Sequence, residues 1–114
     1  MQAFLSGVEV RFYAGRRKVE RFLAKGPTFE LIAGRSRKTG KLSDLPLSYR
    51  GFFGWKSLGR VESRYLYSVA DTFVLRINPP PKVKVRVKWR LQLVHIGGTS
   101  QVECETGLGE LLHV

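Results

Sequence analysis

The sequence predicts a mainly β chain, an antiparallel meander, sandwich or barrel-like sheet, with one short N-terminal helix; α+β is the alternative class. Three observations carry this. Apolar and polar residues alternate with a two-residue period over 4–13 and 82–96. The second half consists of short apolar runs separated by Gly- and Pro-rich breaks. Only one stretch, 16–25, repeats its apolar residues at helical spacing. With 114 residues and no linker long enough to divide them, the chain reads as a single domain, 1–114. A chain of this size buries roughly two thirds of its unfolded surface, enough for one core.

Taken in order, FLSGVEVRFY (4–13) places Phe4, Val8, Val10 and Phe12 on one side and Glu9, Arg11 and Tyr13 on the other, as a strand requires. In RRKVERFLAK (16–25), Val19, Phe22 and Leu23 form an apolar stripe, and Gly26-Pro27 ends the helix. Phe29 to Ala33 reads as a buried strand. Gly34 to Asp44, rich in charge, Gly and Ser, reads as a loop. Residues 45–60 are irregular, punctuated by Pro46, Gly51, Gly54 and Gly59. A β-meander then follows over 61–69, 72–78, 82–96 and 101–106.

Register assigns the charges to faces. A hairpin closed by Pro79 to Pro81 sets Ile77 opposite Val83 and Arg76 opposite Lys84. A two-residue turn at Gly97-Gly98 sets Gln92 opposite Glu103, Arg90 opposite Glu105 and Leu91 opposite Cys104. On these pairings Arg76, Lys82, Lys84, Arg86 and Lys88 share one face and meet no acid. Same-face neighbours lie about 6.8 Å apart and repel by roughly 0.6 kcal/mol in water, so such a row is tolerated without a ligand.

Charge bounds the function. Lys and Arg number 20 against nine acids, for a net +11, and every base lies between Arg11 and Arg90. Such a balance attracts polyanions and anionic membranes. Glu103, Glu105 and Glu110 give the C-terminal end the opposite sign. Further bases cluster at Arg16-Arg17-Lys18 and at Arg35, Arg37, Lys38 and Lys41. The stretch Gly34 to Leu42 falls short of a phosphate-binding P-loop: five residues separate its glycines instead of four, and Leu42 stands where a hydroxyl is needed. Aromatic residues interleave with bases at Tyr49 to Lys56, where Phe52, Phe53 and Trp55 suit a membrane or a neighbouring subunit. Tyr65 and Tyr67 suit base stacking, whereas Trp89 belongs to the apolar side of its strand.

Catalysis and cofactors have little to stand on. His95 and His113 are the only imidazoles, Cys104 is the only cysteine, and no metal-ligand spacing occurs. The expectation is a non-enzyme without metal or cofactor. A single cysteine fits a reducing, intracellular setting such as the cytoplasm, the nucleus or a virion. The N-terminus has neither the charged start nor the apolar run of a signal peptide.

The leading expectation is a non-catalytic protein that binds nucleic acid, RNA before DNA. Phosphates would meet Arg76, Lys82, Lys84, Arg86 and Lys88 on the sheet, with Arg35, Arg37, Lys38 and Lys41 in the basic loop. The second is a self-assembling structural protein of viral coat or matrix type. It would meet genome or anionic membrane, and its Phe52, Phe53 and Trp55 would contact a bilayer or another copy in a homo-oligomer. Cations that merely protect a strand edge are the third reading.

Overall fold

The structure, a computed structural model, describes residues 2–46, 49, 56–62 and 69–114. The chain is mostly β, with two antiparallel sheets and one short N-terminal helix, as the sequence predicts. Its elements are β1 (Gln2–Tyr13), α1 (Arg16–Leu23), β2 (Thr28–Ala33), β3 (Ser36–Lys41), a 3-10 turn (Leu42–Asp44), β4 (Lys56–Glu62), β5 (Thr72–Asn78), β6 (Lys84–His95), β7 (Gly98–Gly107) and β8 (Leu112–His113). One sheet runs β4-β1-β6-β7 and the other β3-β2-β5-β8.

The two sheets enclose a common apolar core. Val8, Val10 and Phe12 of β1 and Val85, Val87, Trp89 and Leu91 of β6 pack with Phe29, Leu31, Phe73, Leu75 and Ile77 of the opposite sheet. Phe73 and Trp89 meet across the interface with ring centroids 6.1 Å apart. Trp89 is fully buried, and its indole N–H donates to the Thr106 hydroxyl at 2.8 Å. The helix closes one end: Val19 is buried, and Phe22 lies 6.0 Å from Phe12.

The alternation in β1 changes phase once. The β1–β6 register shifts between Leu5 and Gly7, so Ser6 forms a bulge, its hydroxyl donating to the Arg90 carbonyl at 3.0 Å. Ala3 and Leu5 therefore enter the core, and Phe4, expected there, is only partly buried.

The basic segment 34–44 is not a loop. It turns at Gly34-Arg35 and returns as β3, an edge strand paired along β2 from Ala33↔Ser36 to Thr28↔Lys41. A strand at an edge can be this polar because one side of its ladder and one of its faces meet water. Gly34 holds a φ of +59°, which the turn requires. Gly40 lets the strand close over Phe29, whose Cε1 would lie 3.0 Å from a Cβ placed there.

The meander needs three corrections. The strand expected at 61–69 begins earlier, as β4, and its end at Val69 is an isolated bridge to Phe4. Strands β5 and β6 do not pair: β5 lies between β2 and β8, and β6 between β1 and β7. Pro79, Pro80 and Pro81 supply no N–H for a ladder, and their fixed φ favours an extended crossing between layers. The β6–β7 turn is Ile96-Gly97, with His95 opposite Gly98. Each β6 residue thus meets a β7 residue two positions earlier than expected. Because the slip is two residues, every side chain keeps its face. Strand β8, two residues long, leaves no periodic trace in the sequence.

Candidate nucleic-acid interface

The outer face of the long sheet is an interlaced charge lattice. Reading across β1, β6 and β7, Glu9 stands beside Lys88 and Lys88 beside Glu105; Gly7 stands beside Arg90 and Arg90 beside Glu103. Lys88 Nζ lies 3.0 Å from Glu103, and Arg90 Nε lies 3.0 Å from the same carboxylate. Arg86 lies 3.9 Å from Glu105, which Arg11 approaches at 3.5 Å. Glu9 is buried on this face and accepts from Arg11 at 3.1 Å. Four bases, Arg11, Arg86, Lys88 and Arg90, thus meet three acids, Glu9, Glu103 and Glu105. Of the row expected to face water without acids, Arg86 and Lys88 are matched on this face, because the register slip carries Glu105 from Arg90 to Lys88, while Lys82 and Lys84 make no ion pair with a described acid.

Arg76 sits on the other sheet, opposite Glu30, which it approaches at 3.3 Å. Arg37 pairs with that same carboxylate. Lys38 is half-buried opposite Leu31. Arg35 lies in the β2–β3 turn, at the far end of the molecule from α1. The aromatic segment expected to meet a membrane or subunit, Phe52, Phe53 and Trp55, lies outside the described residues, as do Tyr65 and Tyr67.

Glu103 takes its electrostatic character from this lattice. The hydrogen bond from Lys88 comes first in holding its carboxyl below the ordinary value of 4.5, and Arg90 adds to it. A carboxyl lowered in the folded state contributes stability that is present above 4.5 and lost as pH falls through the lowered native value. Replacing Glu103→Gln is therefore expected to flatten the acid side of a Tm-versus-pH curve below about pH 4.5. A curve that keeps its slope would show that Glu103 contributes nothing there.

Cations collect instead at the end of the sandwich capped by α1. Strands β1 and β6 meet there as Tyr13↔Lys84, and β2 meets β3 and β5 as Thr28↔Lys41 and Thr28↔Asn78. The backbone N–H of Leu42 donates to Pro27 at 2.9 Å, holding Lys41 beside the exit of the helix. Lys82 lies in the link from Asn78 to Lys84. On α1, burial of Val19 turns Arg17, Lys18 and Arg21 to water, and Lys25 follows in the turn beyond. Arg16 pairs with Glu20 at 2.9 Å and lies 4.7 Å over the Tyr49 ring, while Lys84 lies 5.2 Å over Tyr13. Burial comes first in pushing the Tyr49 hydroxyl up.

This pole holds Arg16, Arg17, Lys18, Arg21, Lys25, Lys41, Lys82 and Lys84 against Glu20 and Asp44 among the described residues. Arg17, Lys18, Arg21, Lys25, Lys41 and Lys82 are all exposed, and none makes an ion pair with a described residue. A groove of about 730 Å³ opens beside it, lined by Thr28, Glu30, Thr39, Lys41, Arg76 and Asn78 among others. Three of the sequence-selected residues, Lys41, Lys82 and Lys84, belong to the pole. Arg17, Arg21 and Lys25 were readable as an i, i+4 stripe opposite Val19, but their convergence with Lys41 and Lys82 was not.

Among the described residues no group of three or more His, Cys, Asp or Glu is placed to hold a metal ion, and no helix is long and apolar enough to cross a membrane. His95 bonds through Nε2 to the Ser100 hydroxyl at 2.9 Å, and Cys104 stands opposite Trp89. No family model, curated protein or solved structure matches the chain.

Proposed function

We propose that the protein binds nucleic acid without catalysis, with RNA preferred, and that the pole formed by α1, Lys41 and Lys82 is its phosphate-binding surface. The observation that supports this is the gathering of six exposed cations, none ion-paired with a described residue, at one end of a chain of net +11. The four lysines among them put compact ammonium groups on flexible stems, which suit phosphate oxygens wherever they fall along a strand, and Arg17 and Arg21 add guanidinium forks. Contacts to phosphate carry no sequence information, so selectivity among sequences is low. The adjoining groove offers hydroxyl and amide groups at Thr28, Thr39 and Asn78, which suit ribose hydroxyls and the edges of unpaired bases. Paired bases such as Lys88 and Arg90 would have to leave Glu103 to bind phosphate, which lowers their net contribution.

Nuclease-treated protein titrated into a labelled single-stranded RNA, followed by fluorescence polarisation, tests the reading. Six phosphate contacts predict that log K falls with log salt at a slope of about −4, since each single-strand contact adds roughly −0.7. Absence of binding at low salt, or affinity indifferent to salt, would refute it. A DNA strand of the same sequence binding equally well would remove the preference for RNA.

A further inference from the structure

The four sheet edges are not equally guarded. β3 carries Arg37, Lys38 and Lys41 along its length. β4 pairs with β1 through a bulge, and its sequence includes Lys56 and Arg60. β8 has only two residues. β7 is different. Its first half, Gly98-Thr99-Ser100-Gln101-Val102, has no charge and no proline, and its register with β6 is unbroken. Residues 98–101 are all exposed, and so is Ile96 at the hairpin tip. An edge strand of this kind presents unpaired N–H and C=O groups to any second strand.

We infer that this edge pairs with the same edge of a second copy, antiparallel, about a two-fold axis at Gln101, joining two four-stranded sheets into one of eight. Charge permits this pairing with a second copy and excludes registers that run into the acidic half of β7. An axis at Gln101 sets Glu103 opposite Thr99 and Val102 opposite Ser100, so no charge meets its like. An axis at Cys104 would set Glu103 against Glu105. The antiparallel arrangement also sends the two basic poles in opposite directions. Parallel pairing would bring them side by side, in a chain that already carries +11. The pairing uses the end of β7 away from α1, so it leaves Arg17, Lys18, Arg21, Lys25, Lys41 and Lys82 exposed in both copies. It does not depend on what those residues bind.

The test uses nuclease-treated protein in about 0.5 M salt, where screening is shorter than about 8 Å and bridging by nucleic acid is suppressed. Sedimentation velocity over a concentration series is expected to show a species of twice 13.0 kDa. Gln101→Lys, an exposed substitution that sets two cations face to face, is expected to give the monomer with an unchanged far-UV circular dichroism spectrum. In a Cys104→Ser background, Gln101→Cys is expected to form a disulfide-linked dimer on mild oxidation, because directly opposite strand residues lie within disulfide reach. A wild-type monomer at every concentration overturns the inference. So does a Gln101→Lys dimer, or cross-linking no greater than that of a Thr39→Cys control on the guarded edge.

Discussion

Reversing Arg17, Lys18, Arg21 and Lys25 to glutamate is expected to weaken RNA binding by roughly 10²–10³-fold near 0.1 M salt. At a slope of about 0.7 each phosphate contact is worth roughly fivefold there, and four contacts are lost. The salt dependence should fall with them, by about 3 in the slope of log K on log salt. None of the four side chains is buried or paired with a described carboxylate, so the fold should survive and the circular dichroism spectrum should not change. The comparison that gives the result meaning is Arg86→Glu with Lys88→Glu on the sheet face. Those two cations neutralise Glu103 and Glu105. Their reversal should first lower stability, and should reduce binding less than reversal of the pole does. Equal binding by the pole variant and the wild type would remove α1 from the interface.

The second large effect is on stability. Trp89→Ala is expected to destabilise the protein by about 3–5 kcal/mol, because it empties the site of the largest fully buried side chain among the described residues, between Phe73 and the inner face of β7. Domains of this size are stable by only about 5–15 kcal/mol, so the variant should be partly unfolded at modest urea concentrations. Trp89→Phe separates volume from hydrogen bonding. It keeps a ring in place but leaves the buried Thr106 hydroxyl without its 2.8 Å donor, at a cost of about 1–3 kcal/mol. Adding Thr106→Val should recover part of that loss. Urea denaturation followed by far-UV circular dichroism reads all three variants. Strict additivity between positions 89 and 106 would show that the bond contributes nothing.

The segments legible in the sequence were those whose pattern is set by one local rule. The alternation over 72–78 and 82–96 places β5 and β6 almost to the residue, and the stripe of Val19, Phe22 and Leu23 places α1. Burial of Trp89 followed from the same alternation. Segment 36–41 was not legible, because a polar edge strand and a polar loop have the same composition. Its strand character comes from β2 beside it and from Phe29 beneath Gly40. The bulge at Ser6 was hidden for a similar reason: one extra residue shifts the phase without altering the kinds of residue present.

The sequence by itself determined the class of fold, the side of each regular strand that faces the core, and the excess of cations. These depend on local periodicity and composition, and a register slip of two residues leaves them intact. The tertiary structure alone decided which charges meet. It sent β5 and β6 into different sheets, moved Glu105 from Arg90 to Lys88, and brought α1, Lys41 and Lys82 to one end. Pairings of this kind are set by contacts between residues far apart in the chain, through electrostatics that fade within about 8 Å. No short window of sequence contains that information.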